Sequence, residues 1–87
     1  MVDKKFYIFN SFDEPLCWEE DDWDSDKAIA FESYEEAEEF VSLIKEHYPD
    51  AYGDCVEIYD CIFFYDGGTV PGMLAKELFL KEIKKEN

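Results

Sequence analysis

The stretch "SYEEAEEFVSLIKEHYP", residues 33–49, carries the strongest structural signal in the chain. Ser33 followed by Glu36 is a capping-box pattern, in which the serine oxygen satisfies an orphan amide of the first helical turn. Behind it Ala37, Phe40, Val41, Ile44 and Tyr48 recur at helical spacing and draw one apolar stripe. Glu35, Glu36, Glu38 and Glu39 crowd the first half, where the helix dipole favours negative charge, and Lys45 and His47 sit in the last turn. Pro49 stops the pattern. A helix over 34–48 is predicted, and the rest of the chain must cover its stripe.

Upstream, "KFYIFNSF" (5–12) is apolar on both alternating faces, with Phe6, Ile8 and Phe12 on one and Tyr7 and Phe9 on the other. That suits a strand covered on two sides. "DEP" reads as a turn, because proline fixes its own backbone and disfavours helix just before it. "LCWEE" then pairs back as the second strand of a hairpin, "DDWDSD" is a loop or polar strand end, and "KAIAFE" leans to strand. Downstream, "CVEIYDCIFFY" (55–65) reads as a long strand, with Asp60 marking a bulge or bend. "DGGTVPG" is a turn, glycine-rich but without a P-loop lysine or a dinucleotide fingerprint. After Pro71, Leu74, Leu78 and Ile83, with Phe79 and Leu80 flanking, indicate a second amphipathic helix to about residue 85. The predicted fold is α+β: one domain over residues 1–87, with a small three- to four-stranded antiparallel sheet and two helices packed on one face.

At 87 residues the core needs large side chains, and eight Phe, six Tyr and two Trp supply them. An aromatic share of 18% separates the chain from acidic disordered segments, which are poor in aromatics. Twenty-three acids against eight basic residues give a net charge of −15, and all eight basic residues are lysines. Arginine, the preferred bidentate reader of phosphate and guanine, is missing. Such a chain is repelled by nucleic acid and by anionic membranes, so direct binding to either is excluded. From Asp13 to Asp66 there are 19 acids and two lysines, which places the negative field in the middle of the chain. No apolar run approaches the roughly 20 residues that span a bilayer, and "MVDKKFYIFN" lacks a signal-peptide pattern. Three cysteines without framework spacing fit reduced thiols, and the expected location is the cytoplasm.

Asp22, Asp24 and Asp26 alternate as at the start of an EF-hand loop, but the sixth position is Lys27 rather than glycine and the twelfth is Ser33 rather than glutamate. Cys17, Cys55, Cys61 and His47 number enough for zinc, yet no CxxC pair anchors them. His47 is the only histidine and falls where a helix C-terminus stabilises its charged form. No nucleophile–base arrangement is legible. The expectation is therefore a non-enzymatic chain with no cofactor and no metal.

The acidic surface remains. Like charges placed together destabilise a fold through self-repulsion, and solubility needs only a modest net charge. On the helix Glu35, Glu38, Glu39 and Glu46 project away from the apolar stripe, with acids three or four apart about 5–6 Å from each other. The preceding segment adds Glu19, Glu20, Asp21, Asp22, Asp24 and Asp26, with Trp18 and Trp23 as candidate anchors or, alternatively, as caps on the small core. Charge steers an encounter and tryptophan holds it. In size, acidity and lack of arginine the chain resembles phage-encoded DNA-mimic proteins, including some anti-CRISPR and restriction inhibitors. "WDSDKAIAFESYEEAEEF" also resembles a strand-to-helix phrase of small phage and bacterial proteins through Trp23, Ala28, Phe31, Ser33, Glu36, Ala37 and Phe40, over about a fifth of the chain. The resemblance implies a protein-binding inhibitor in the host cytoplasm. Its acidic face would mimic nucleic acid and block a basic nucleic-acid-binding protein such as a CRISPR nuclease or restriction enzyme. The alternative is a housekeeping protein–protein interaction module, acidic for solubility. Either is compatible with a monomer or a homodimer.

Overall fold

The computed structural model describes residues 4–53, 55, 57–62 and 67–86. In chain order these form β1 (Lys5–Phe9), β2 (Cys17–Trp18), β3 (Lys27–Ala30), α1 (Tyr34–His47), α2 (Pro49–Tyr52), β4 (Glu57–Cys61), β5 (Thr69–Pro71) and α3 (Gly72–Glu86).

The predicted helix is present and ends where its chemistry says it should. Ser33 is extended and its side chain accepts from Glu36 N at 3.2 Å. At the other end Tyr48 N–H donates to Ile44 O at 2.7 Å. Pro49 then opens α2, a position where its missing N–H would have been unpaired anyway.

The fold is α+β, but the single antiparallel sheet expected from the sequence is not what forms. The five strands make two small sheets, β1–β4 and β2–β3–β5. β1 and β4 are antiparallel, in a register running from Lys5 opposite Cys61 to Phe9 opposite Glu57. That ladder passes through Asp60 opposite Phe6 without the expected bulge. The part of the predicted 55–65 strand at residues 56 and 63–65 lies outside the described residues. "LCWEE" does not extend β1 as a hairpin partner. The return is short: Asn10 N donates to Glu14 O at 3.0 Å, Pro15 bridges Phe9 and Leu16 N reaches Ile8 O at 2.7 Å, after which Cys17 and Trp18 pair with β3. "KAIAFE" is a strand as read, and Phe31 beyond it exchanges two 2.8 Å hydrogen bonds with Phe6, joining the two sheets.

The parallel pairing of β3 with β5 follows from what lies between them. The connection holds α1, α2 and β4, and parallel strands need such a long connection, whereas a tight turn would make the pair antiparallel. β5 comes from "TVP", inside the stretch that composition marks as a turn, and its Pro71 is tolerated because a short edge strand needs few donors.

The helices do pack on one face. Ile8, Ile29, Phe31 and Val70 meet Ala37, Phe40 and Ile44 of α1 and Ala75 and Phe79 of α3 in one buried cluster. Burying each large side chain contributes about 1.5–3 kcal/mol. Alternation turns Tyr7, Phe9, Ala28 and Ala30 into a second cluster, with Cys17 and Cys61 beside it. In α3 the buried line is Ala75 and Phe79, with Leu78 and Ile83 half-buried, whereas Leu74 and Leu80 are exposed. The predicted stripe through Leu74 is thus rotated. α3 starts at Gly72, where a β-carbon would overlap the Phe31 ring and Glu36 Oε1, so the close approach at this end of the helix needs a residue without a side chain.

Candidate functional site

The expected surface divides into two sets of acids lining different grooves. On α1, Glu35, Glu38, Glu39 and Glu46 are all exposed, as their spacing outside the apolar stripe requires. Glu35, Glu38 and Glu39 line a shallow groove with Val41, Ser42, Lys45 and Ile58 of β4, about 530 Å³ in volume. Glu39 and Glu46 also border a smaller depression with Ser42, Leu43 and Lys76 of α3. Lys76 Nζ donates to Glu39 Oε2 at 3.0 Å, an exposed ion pair of the kind that contributes about 0.2–1 kcal/mol. Glu36 belongs to neither rim: its Oε1 is buried against Gly72 without a hydrogen-bond partner among the described residues. It lies at the start of α3, where the helix dipole favours negative charge.

The second set lies on the β2–β3 connection. Glu19, Glu20 and Asp21 line a groove of about 480 Å³ with Cys17, Trp18, Tyr48, Phe79, Glu82 and Lys85. Trp23 N donates to Glu20 O at 3.0 Å and closes the turn that holds this segment. Asp22, Asp24 and Asp26 follow on the exposed part of the loop.

Both tryptophans are half-buried and pack against the main core. Trp18 sets its indole edge-on to Phe40 and Phe79, with ring centroids 6.5 and 5.9 Å apart, and its Nε1 donates to Glu20 Oε1 at 3.2 Å. Trp23 lies under Lys27, whose Nζ is 5.7 Å from the ring centroid and also donates to Gly67 O at 3.1 Å. Each indole therefore helps to close the fold and leaves only part of its surface for a partner.

Cys17, Cys55 and Cys61 are half-buried and no disulfide joins them. Burial, and then the neighbouring Asp60 carboxylate, push the Cys61 thiol above its usual value, with Lys4 opposing. Its thiolate is thereby disfavoured at neutral pH, the reverse of an activated nucleophile. His47 is exposed at the end of α1, its ring centroid 6.4 Å from Phe79. Among the described residues no three His, Cys, Asp or Glu side chains gather as ligands for a metal ion. Among the described residues no helix is long and apolar enough to cross a membrane.

Sequence reasoning missed Tyr48, Phe79, Glu82 and Lys85 as groove residues. Tyr48 and Phe79 carried an apolar signal that fits the core equally well, and nothing local brings the end of α3 beside Trp18. Comparison with protein-family models, curated proteins and solved structures gave no significant match.

Proposed function

We propose that this chain is a non-enzymatic protein-binding inhibitor whose acidic surface docks into the basic groove of a nucleic-acid-binding protein and occupies it in place of nucleic acid. The observation that carries the reading is the placement of Glu35, Glu38, Glu39 and Glu46 on the solvent side of α1. Among the described residues only Glu39 of the four forms an ion pair, with Lys76 of α3, and all four acids lie on a helix whose ends are capped. A fixed row of carboxylates offers a partner what a phosphate backbone offers: closely spaced negative charge whose recognition weakens as salt rises. A basic channel built for a nucleic-acid duplex, as in RNA-guided nucleases, is a surface of the matching kind.

A second reading draws on a different observation. Phe12 is 81% exposed and Met73 69%, so apolar contacts are on offer as well. An interaction module that binds through these side chains, and is acidic for solubility, would form complexes that resist salt.

Capture from a cell lysate at low ionic strength, followed by elution in a rising salt gradient and mass spectrometry, separates the two. The proposal expects a basic nucleic-acid enzyme that elutes early. A neutral or acidic partner held through high salt would replace it with the second reading.

A further inference from the structure

The groove between the β2–β3 connection and α3 combines an aromatic floor, which the α1 face lacks, with a half-buried carboxylate held by a neutral donor. Trp18, Tyr48 and Phe79 form the floor, with Tyr48 edge-on to Phe79 at 5.5 Å between centroids. Glu19, Glu20, Asp21 and Glu82 stand around it, against a single lysine, Lys85. Glu20 is half-buried and fixed by the indole N–H of Trp18 at 3.2 Å. A carboxylate offers about four acceptor positions; the indole occupies one and the others remain for a ligand.

From this arrangement we infer that the groove receives an arginine side chain of the partner. The inference rests on the proposed function in that the partner is basic, but it assigns the contact to a different set of residues. An anion is refused by the four carboxylates, and an apolar side chain would strip water from them without compensation. A cation suits both floor and rim, since ring faces attract positive charge and carboxylates bond it. Between the two cationic side chains, the guanidinium is planar, weakly hydrated, stacks on aromatic faces and meets carboxylates through paired donors. The lysine ammonium is a compact and strongly hydrated point charge. The volume of about 480 Å³ falls within the range of small-ligand sites.

The test uses the full chain at low salt, titrated with a short blocked peptide carrying one arginine and with matched peptides carrying lysine or citrulline. Binding is followed by amide NMR and by the indole N–H resonance of Trp18. The arginine peptide should give saturable shifts centred on Trp18, Glu20, Tyr48 and Glu82. It should bind at least about threefold tighter than the lysine peptide, with no saturation by citrulline. Glu20→Gln keeps an acceptor for the indole but removes the charge, and should weaken arginine binding about fivefold or more. Glu82→Gln, at an exposed position, provides the same test should the first variant lose its native spectrum. Equal binding of arginine and lysine with shifts spread over the α1 acids, or no saturation at Trp18, would overturn the assignment. The two proposals fail separately. Arginine-peptide binding without capture of any basic partner leaves the groove and removes the inhibitor; a captured basic partner indifferent to Glu20→Gln and Glu82→Gln, with no peptide binding, removes the groove alone.

Discussion

Replacing Gly72 by alanine sets helix propensity against packing, and the structure decides the sign. Propensity alone favours the change by up to about 1 kcal/mol, because glycine is roughly that much worse than alanine in a helix. Yet a methyl at Gly72 would overlap Phe31 Cδ1 and Glu36 Oε1 and lie 3.0 Å from Phe31 Cε1. Phe31 is 1% exposed, and its ring packs 5.5 Å from that of Phe40. Phe40 in turn meets Phe79 at 5.3 Å, so the Phe31 ring yields only if this aromatic chain shifts with it. Overpacking a well-filled core costs about 1–3 kcal/mol. Set against the gain in propensity, Gly72→Ala should be destabilised by up to about 2 kcal/mol. In a domain of this size each kcal/mol lowers the thermal midpoint by about 4–8 °C. Urea unfolding followed by tryptophan fluorescence would show a lower midpoint with an unchanged slope. Gly53→Ala is the control, since its nearest neighbour beyond the adjoining residues is Asp50 O at an ordinary 3.6 Å. A Gly72→Ala variant more stable than the parent would refute the reasoning that the tight contact at this position outweighs helix propensity.

Three further outcomes are expected. Glu38→Lys with Glu39→Lys loses the exposed Glu39–Lys76 pair, about 0.2–1 kcal/mol, but relieves repulsion from Glu35 by about 0.2–0.5 kcal/mol for each neighbour; thermal melting by circular dichroism should show a net change within about 0.5 kcal/mol. Asn10→Ala removes the Oδ1 that accepts from Phe12 N at 2.8 Å and Glu14 N at 3.0 Å, costing about 1–2 kcal/mol and speeding hydrogen exchange at both amides. Stability should also fall in alkali. Burial is the main cause raising the Cys61 thiol above 9.0, and burial followed by Cys61 raises the Tyr7 hydroxyl above 10.0. The folded state therefore holds these protons longer than the unfolded chain. Their contribution is complete below about pH 9 and is lost as pH rises through the folded-state values, which urea midpoints measured across that range would show.

What the sequence made legible divides along a physical line. α1 was readable because its signals are local: a serine cap, an apolar stripe at helical period, acids early and a proline after. The exposure of Glu35, Glu38, Glu39 and Glu46 followed from the same period. α3 was readable as a helix but not in phase, since Leu74, Leu78 and Leu80 are as apolar as the Ala75–Phe79 line that is buried, and nothing local distinguishes them. The parallel β3–β5 pair was hidden because three residues, Thr69–Pro71, carry too little pattern to register as a strand. Trp18 shows the same limit at the surface. Its place between Phe40 and Phe79 depends on two helices arriving from far along the chain, so its partial burial and the groove beside it lie beyond any local reading.

If a basic nucleic-acid-binding groove is the docking place proposed above, this chain and nucleic acid compete for it. With the captured partner purified, the affinity of this chain is measured against increasing concentrations of the partner's own nucleic acid. Mutually exclusive binding, no ternary complex, and affinity lost in step with rising salt are expected. A ternary complex with nucleic acid still bound, or an affinity indifferent to salt, would contradict the proposed docking.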